Sequence, residues 1–212
     1  MSGLLPLGTA FLLGFIHALE IDHMMAVTTF VSRRPTLATA FGFGLRWGIG
    51  HSLAVFVAGA ILLATGIRWS PGMETVLEGT VGIALVGVGI WSLRTARNLH
   101  RQDPSEHRAH GHAVASLGVM HGLAGTTAAV ALVPVTLLPG RALGLAYLAC
   151  FGVGVTAGMA TFALVAALAM RRAADRAPAA VERMARWAGA GSIAVGLWWL
   201  SRVLRTGAVL VR

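Results

Sequence analysis

Six apolar runs divide the chain, at about residues 4–30, 37–66, 73–93, 114–138, 142–170 and 186–204. Each approaches or exceeds the roughly 20 residues that an α-helix needs to cross a bilayer. Polar punctuation separates them. Arg33-Arg34-Pro35 follows the first run, Arg68 to Glu78 spans the second junction, and Pro139-Gly140-Arg141 forms a tight turn between the fourth and fifth. These connectors leave no room for a soluble domain, so the pattern predicts an all-α integral membrane protein of six transmembrane helices.

The runs also repeat. Gly14-Phe15-Ile16-His17-Ala18-Leu19 in the first matches Gly118-Val119-Met120-His121-Gly122-Leu123 in the fourth, at an offset of 104. Phe41-Gly42-Phe43-Gly44 with Gly48 matches Phe151-Gly152-Val153-Gly154 with Gly158 at 110, and Gly82 with Val88-Gly89-Ile90-Trp91 matches Gly189 with Val195-Gly196-Leu197-Trp198 at 107. Three colinear matches divide the chain into a first three-helix repeat (1–98), a connecting loop (99–113) and a second repeat (114–212). With an odd number of spans per half, the second half enters the membrane in the opposite sense. This is the 3+3 inverted-topology repeat of many transporters, whose substrate site lies near the midplane where the halves meet. His17 and His121 become pseudo-symmetric partners.

Composition agrees with a membrane protein: 56% of the 212 residues are hydrophobic, 12% are charged, and the mean hydropathy is +0.74. The first run lacks a basic leading segment and a small-residue cleavage site, so it reads as a retained span and not as a signal peptide. The net charge of +9 comes from seventeen basic residues, all Arg. They lie mostly between the apolar runs, as topology determinants do, which argues against nucleic acid as a partner. Eleven fall in the connections after runs one, three and five and five on the other side, which puts both termini outside the cytoplasm of a bacterial inner membrane. The single cysteine, Cys150, excludes a disulfide framework, a thiolate metal cage and a paired thiol-redox carrier.

The chemistry concentrates in His17-Ala18-Leu19-Glu20-Ile21-Asp22-His23. An ionisable group at mid-membrane costs at least about 2.5–3.5 kcal/mol on insertion scales, so four in seven residues are expected to line a pathway, bind an ion or find a partner. On a regular helix His17, Glu20 and His23 share one arc, and Asp22 points elsewhere unless the helix unwinds. Imidazole nitrogen with carboxylate oxygen suits a borderline divalent metal such as Ni²⁺, Co²⁺ or Zn²⁺.

Further candidates join this stretch. His51 in Gly50-His51-Ser52 is either a metal ligand or a histidine bonded to a neighbouring carbonyl, and His121 joins through the repeat. Arg46 is a counter-ion to Glu20 or Asp22, or a residue snorkelling toward a helix end. The tryptophans, Trp47 among them, fit an interfacial belt. Met24, Met25, Met120 and Met159 read as packing or as soft contacts to an ion. The polar tract from His100 to His112, with His107, His110 and His112, is either a weak metal-gathering loop or a solvated linker.

The residues carry a family resemblance. His17-x4-Asp22-His23 resembles the signature of the nickel/cobalt transporter family, and Leu45-Arg46-Trp47-Gly48-Ile49-Gly50-His51-Ser52 resembles its Leu-Gly-His-Ser segment. Val119-Met120-His121-Gly122-Leu123-Ala124-Gly125 and Phe151-Gly152-Val153-Gly154-Val155-Thr156-Ala157-Gly158-Met159 are similar to the UreH-like six-span branch of the wider NicO superfamily. The resemblance covers nearly the whole chain and implies transport of Ni²⁺ or Co²⁺, with His17, Asp22 and His23 essential. Run five carries no carboxylate, unlike the classical uptake members.

The expected protein is therefore a non-enzymatic permease for a divalent transition metal, with no cofactor beyond the ion it carries. His17 and His23 coordinate, Asp22 and Glu20 supply charge and orientation, and His51 and His121 complete the set. Exchange of protons for metal is the natural coupling, because imidazoles bind metal only when neutral. The direction of transport, the metal, the oligomeric state and partner proteins are open. An alternative is an intramembrane metal-dependent hydrolase with a His/Asp zinc site. His17-x4-Asp22 also matches the acyltransferase pattern, but those enzymes place it in an interface-bound domain that this chain lacks.

Overall fold

The computed structural model describes residues 4–32, 36–66, 70–95, 107–123, 133–176 and 178–210. Every regular element among them is an α-helix: α1 (Leu4–His17), α2 (Ile21–Val31), α3 (Leu37–Thr65), α4 (Pro71–Thr95), α5 (His107–Leu123), α6 (Val133–Leu137), α7 (Arg141–Arg176) and α8 (Pro178–Leu210). The ends follow from local chemistry. Thr36 caps α3 by accepting from the Thr39 amide, and Gly66 closes it in the left-handed conformation at φ 71°. At the start of α4, Ser70 Oγ accepts from the Met73 amide and Pro71 takes the first helical position, where no amide hydrogen is needed. The turn at Pro139-Gly140 ends in a glycine at φ 86°, after which α7 begins.

The first apolar run is not one straight helix. It is the pair α1 and α2, bent by 58° at residues 18–20. Glu20 leaves the helical region with ψ 152°, and the Met24 amide then starts a new helix on the Glu20 carbonyl. The fourth run is α5 and α6, with residues 124–132 outside those described. The tract assigned to a loop over 99–113 is helical from His107 onward. The helix of the following span extends back through Ala109 and Ala113, since the nearest proline is Pro104.

Leu37–Thr65, Thr75–Arg94 and Arg141–Arg176 are each long and apolar enough to cross a membrane, as is the bent pair α1 and α2 taken as one span. Large apolar side chains such as Leu53, Ile61, Ile83, Val153 and Val165 lie exposed on the outside of these helices. Such an outer surface fits lipid rather than water. Among the described residues the chain is an all-helical membrane protein.

Inside, α3 packs on α7 and α5, α1 on α7, and α4 on α8. Small residues make these approaches close. A Cβ at Gly14 would strike the Phe151 carbonyl, and one at Gly118 would strike that of Trp47; moving Gly118 back by 104 gives Gly14 and moving Trp47 forward by 104 gives Phe151, so the two contacts exchange between halves. Gly154 against Phe11 and Gly50 against Ala115 are related in the same way. At an offset of 107, Gly82 against the Gly196 carbonyl exchanges with Gly89 against that of Gly189. The exchange between α3 and α7 thus runs at 104, not at the 110 of the best sequence match. Gly42, Gly44, Gly48 and Gly50 in α3, and Gly152, Gly154 and Gly158 in α7, repeat at a shift of six. Identity alone leaves two registers open, and contacts use the other one.

Candidate metal centre

The break at 18–20 builds the centre. His17 closes α1, while Asp22 and His23 open α2, so the bend turns the end of one helix and the start of the next onto the same point. His51 reaches it from the middle of α3 and His121 from the last turn of α5. His17, His23, His51 and His121 are all buried, at 2%, 1%, 0% and 3% exposure, and Asp22 is buried with them. The ring of His23 lies 4.9 Å from that of His17, 5.1 Å from His51 and 5.4 Å from His121, and the His17 and His51 rings are 5.3 Å apart. One ligand atom from each of His17, His23 and His51 can be chosen so that all lie within 4.8 Å of one another, and the same holds for Glu20, Asp22 and His23.

The hydrogen bonds orient the rings. Asp22 Oδ1 accepts from both the amide of His23, at 2.8 Å, and its Nδ1, at 2.9 Å. Glu20 Oε1 lies 2.9 Å from His17 Nδ1. His121 Nδ1 donates to the Leu117 carbonyl at 3.2 Å. A carboxylate or carbonyl at Nδ1 puts the ring hydrogen there, which leaves the Nε2 lone pair for a metal. In His23 and His121 Nε2 has no hydrogen-bond partner, and neither nitrogen of His51 has one. Buried polar atoms are seldom left unpaired, so three imidazoles in one place, each with at least one nitrogen lacking a partner, make this the candidate site for a ligand from outside the chain. Glu20 differs from Asp22 in exposure: its side chain is 35% exposed, so the Glu20–His17 pair links the buried centre to the surface of the break.

All six residues singled out in the sequence, His17, Glu20, Asp22, His23, His51 and His121, meet here. Asp22 joins because the helix is interrupted; on a continuous helix it would face away. Arg46 does not join. It is exposed, and no ion pair joins it to Glu20 or Asp22 among the described residues, which leaves the snorkelling reading. The side chains of His107, His110 and His112 lie outside the described residues. Met159 is core packing at 0% exposure, and Met25 packs toward Gly191.

Two aromatic walls escaped the sequence reading. Trp47, assigned to an interfacial belt, is instead 1% exposed with its ring 5.0 Å from His121, and Phe151 lies 5.8 Å from His17. These contacts also exchange at an offset of 104. The available signal was spacing: Trp47 stands four residues before His51 and so shares its helix face. A separate groove of about 690 Å³ between α3 and α7 is apolar apart from Ser52 and Thr156, and no histidine of the centre lines it. There Ser52 Oγ donates to the Gly152 carbonyl at 2.8 Å.

Comparison with known proteins adds relatives. The chain is 32% identical over 174 residues to a urease accessory protein, UreH, of a Bacillus species, covering 76% of this chain and 75% of that one. It is 28% identical over 162 residues to a protein of Methanocaldococcus jannaschii whose name describes a nickel/cobalt efflux system, covering 74% and 73%. It is 25% identical over 209 residues to the chloroplast protein FOR GROWTH AND FERTILITY 1 of Arabidopsis thaliana, covering 89% of this chain and 57% of that one. No family model matches the chain, and no solved structure matches it.

Proposed function

This chain belongs to the UreH-like branch of the nickel/cobalt transporter superfamily, and we propose that it is a permease carrying a divalent transition metal, nickel or cobalt, through the histidine centre. The observation that carries this reading is the set of buried, unpartnered imidazole nitrogens on His23, His51 and His121. Imidazole is a ligand for Ni²⁺, Co²⁺ and Zn²⁺, and the Asp22 and Glu20 carboxylates balance the two positive charges that arrive with the ion. An imidazole that is protonated while the site is empty must lose that proton to bind metal, which is the basis for reading proton exchange as the coupling.

We read the scaffold as six spans in two inverted halves, 1–98 and 114–212, joined through 99–113. Support comes from the contacts that exchange between halves, at offsets of 104 and 107, and from His17 and His121, which stand 104 residues apart and both face the His23 ring. In such folds the ion sits between the halves and access alternates as they rock. The intramembrane hydrolase reading is not favoured: the relatives' names describe an accessory protein and an efflux system, not an enzyme.

The test is the cellular content of nickel, cobalt and zinc with and without expression of the chain. Expression should change nickel or cobalt content, and His23→Ala should abolish the change. Contents of all three metals unaffected by a well-expressed, membrane-inserted chain would contradict the proposal.

A further inference from the structure

A metal bound by imidazole sits about 2.0–2.1 Å from nitrogen, hence roughly 3.2 Å from the ring centre. Ring centres then lie about 5.2 Å apart at a tetrahedral angle and about 4.5 Å apart at a right angle. The separations among His17, His23 and His51 are 4.9, 5.1 and 5.3 Å, and His23 to His121 is 5.4 Å. Every one exceeds the right-angle spacing, and together they bracket the tetrahedral one.

Two further observations bear on coordination number. The two carboxylates are engaged at Nδ1 of His17 and His23, so they orient rings rather than point their bonded oxygens at the ion. The walls beside the rings are Trp47 and Phe151, both buried, and the one polar atom they hold is the unpartnered Trp47 Nε1, a donor that cannot ligate a metal, so they add no ligand beyond the imidazoles.

We propose that the histidine centre is a four-coordinate, tetrahedral site that holds cobalt and zinc in preference to nickel. His17, His23 and His51 supply three corners, and the fourth, on the side of His121, is taken by that imidazole or by one water. This deepens the permease reading and rests on it. The consequence runs against the usual order of stability, in which nickel binds more tightly than cobalt at an unconstrained site. A tetrahedral field suits Co²⁺ and Zn²⁺ and disfavours Ni²⁺, so the selectivity comes from the placing of the rings.

The experiment is a titration of the purified full chain, stripped of metal in detergent, with Co²⁺, read by visible absorption and by equilibrium dialysis. One Co²⁺ per chain should bind with the intense blue bands of tetrahedral cobalt, roughly an order of magnitude stronger than those of the pale pink six-coordinate ion. Zn²⁺ should displace it at least about tenfold more effectively than Ni²⁺. Stoichiometric cobalt with weak six-coordinate bands, or displacement by Ni²⁺ at least as effective as by Zn²⁺, would overturn the geometry and leave the permease reading standing. Failure of the intact, monodisperse chain to bind Co²⁺, Zn²⁺ or Ni²⁺ at all would remove both. The wild-type spectrum decides the matter by itself; His23→Ala and His51→Gln, each checked by gel filtration, should both lose the blue bands, and retention in both would also overturn the assignment.

Discussion

Advance His17 by 104 residues and the matching position holds another histidine, His121; advance His51 by the same step and it holds Val155. The packing is shared by both halves, down to the glycines that admit a neighbouring backbone and the aromatic ring against each of the paired histidines. The chemistry is not shared. Five of the six polar residues of the centre come from α1, α2, α3 and the break, and one comes from α5. On the proposed two-half reading, the second half serves mainly as scaffold and counterpart, and a near-symmetric frame carries an asymmetric set of candidate ligands. Symmetry of packing is what rocking between two states requires, whereas an ion needs only one good set of ligands.

The comparison breaks most sharply at His23, whose ring neighbours those of the other three histidines. His23→Ala should lower metal affinity by more than roughly 100-fold, since even losing a residue that only orients a ligand costs about 10–100-fold. Isothermal titration with Co²⁺ measures this, and affinity within a few-fold of wild type would move the centre elsewhere.

Next come the shared glycines. Gly14→Val and Gly118→Val each force a side chain into backbone that cannot yield, and overpacking costs about 1–3 kcal/mol. Melting in detergent should fall by similar amounts in both variants. A loss confined to Gly14→Val would mean that the halves do not share one packing scheme.

Asp22→Asn and Glu20→Gln sharpen the comparison within the first half. Asp22 is buried and accepts two bonds from His23, so its change should weaken metal binding by about 10–100-fold. Glu20 is 35% exposed, water can replace part of its role, and the effect should be smaller. An equal or greater loss in Glu20→Gln would reverse this ranking. Smallest of all, changing His107, His110 and His112 together should alter apparent transport affinity by a modest factor. Complete loss would place an obligatory site in that tract.

Much of this was legible in the chain itself. The apolar runs foreshadowed an all-helical membrane protein, because a stretch of that length and polarity has few other stable forms, and among the described residues four candidate spans, the bent pair counted as one, are long and apolar enough to cross a bilayer. The cluster His17 to His23 announced the centre through the cost of burying it. What stayed hidden depended on geometry between helices. A regular helical wheel turns Asp22 away from the site unless the helix unwinds, and the position of that break, at the extended Glu20, is what the sequence left open. Glycine spacing in α3 and α7 fitted two registers equally well. Trp47 looked like any membrane tryptophan until α5 packed across α3 beside it, and nothing local distinguished Arg46 as a counter-ion from Arg46 at the surface.

The central claim is that the buried histidines carry the ion across the membrane, and flux through the purified chain tests it most directly. Proteoliposomes loaded with a metal-sensitive dye should show Co²⁺ or Ni²⁺ movement with the wild-type chain. Flux should fall to the empty-vesicle rate with His23→Ala and with His51→Ala, at equal incorporation and unchanged gel-filtration profile. Wild-type flux at the empty-vesicle rate, or undiminished flux in both variants, would contradict the account.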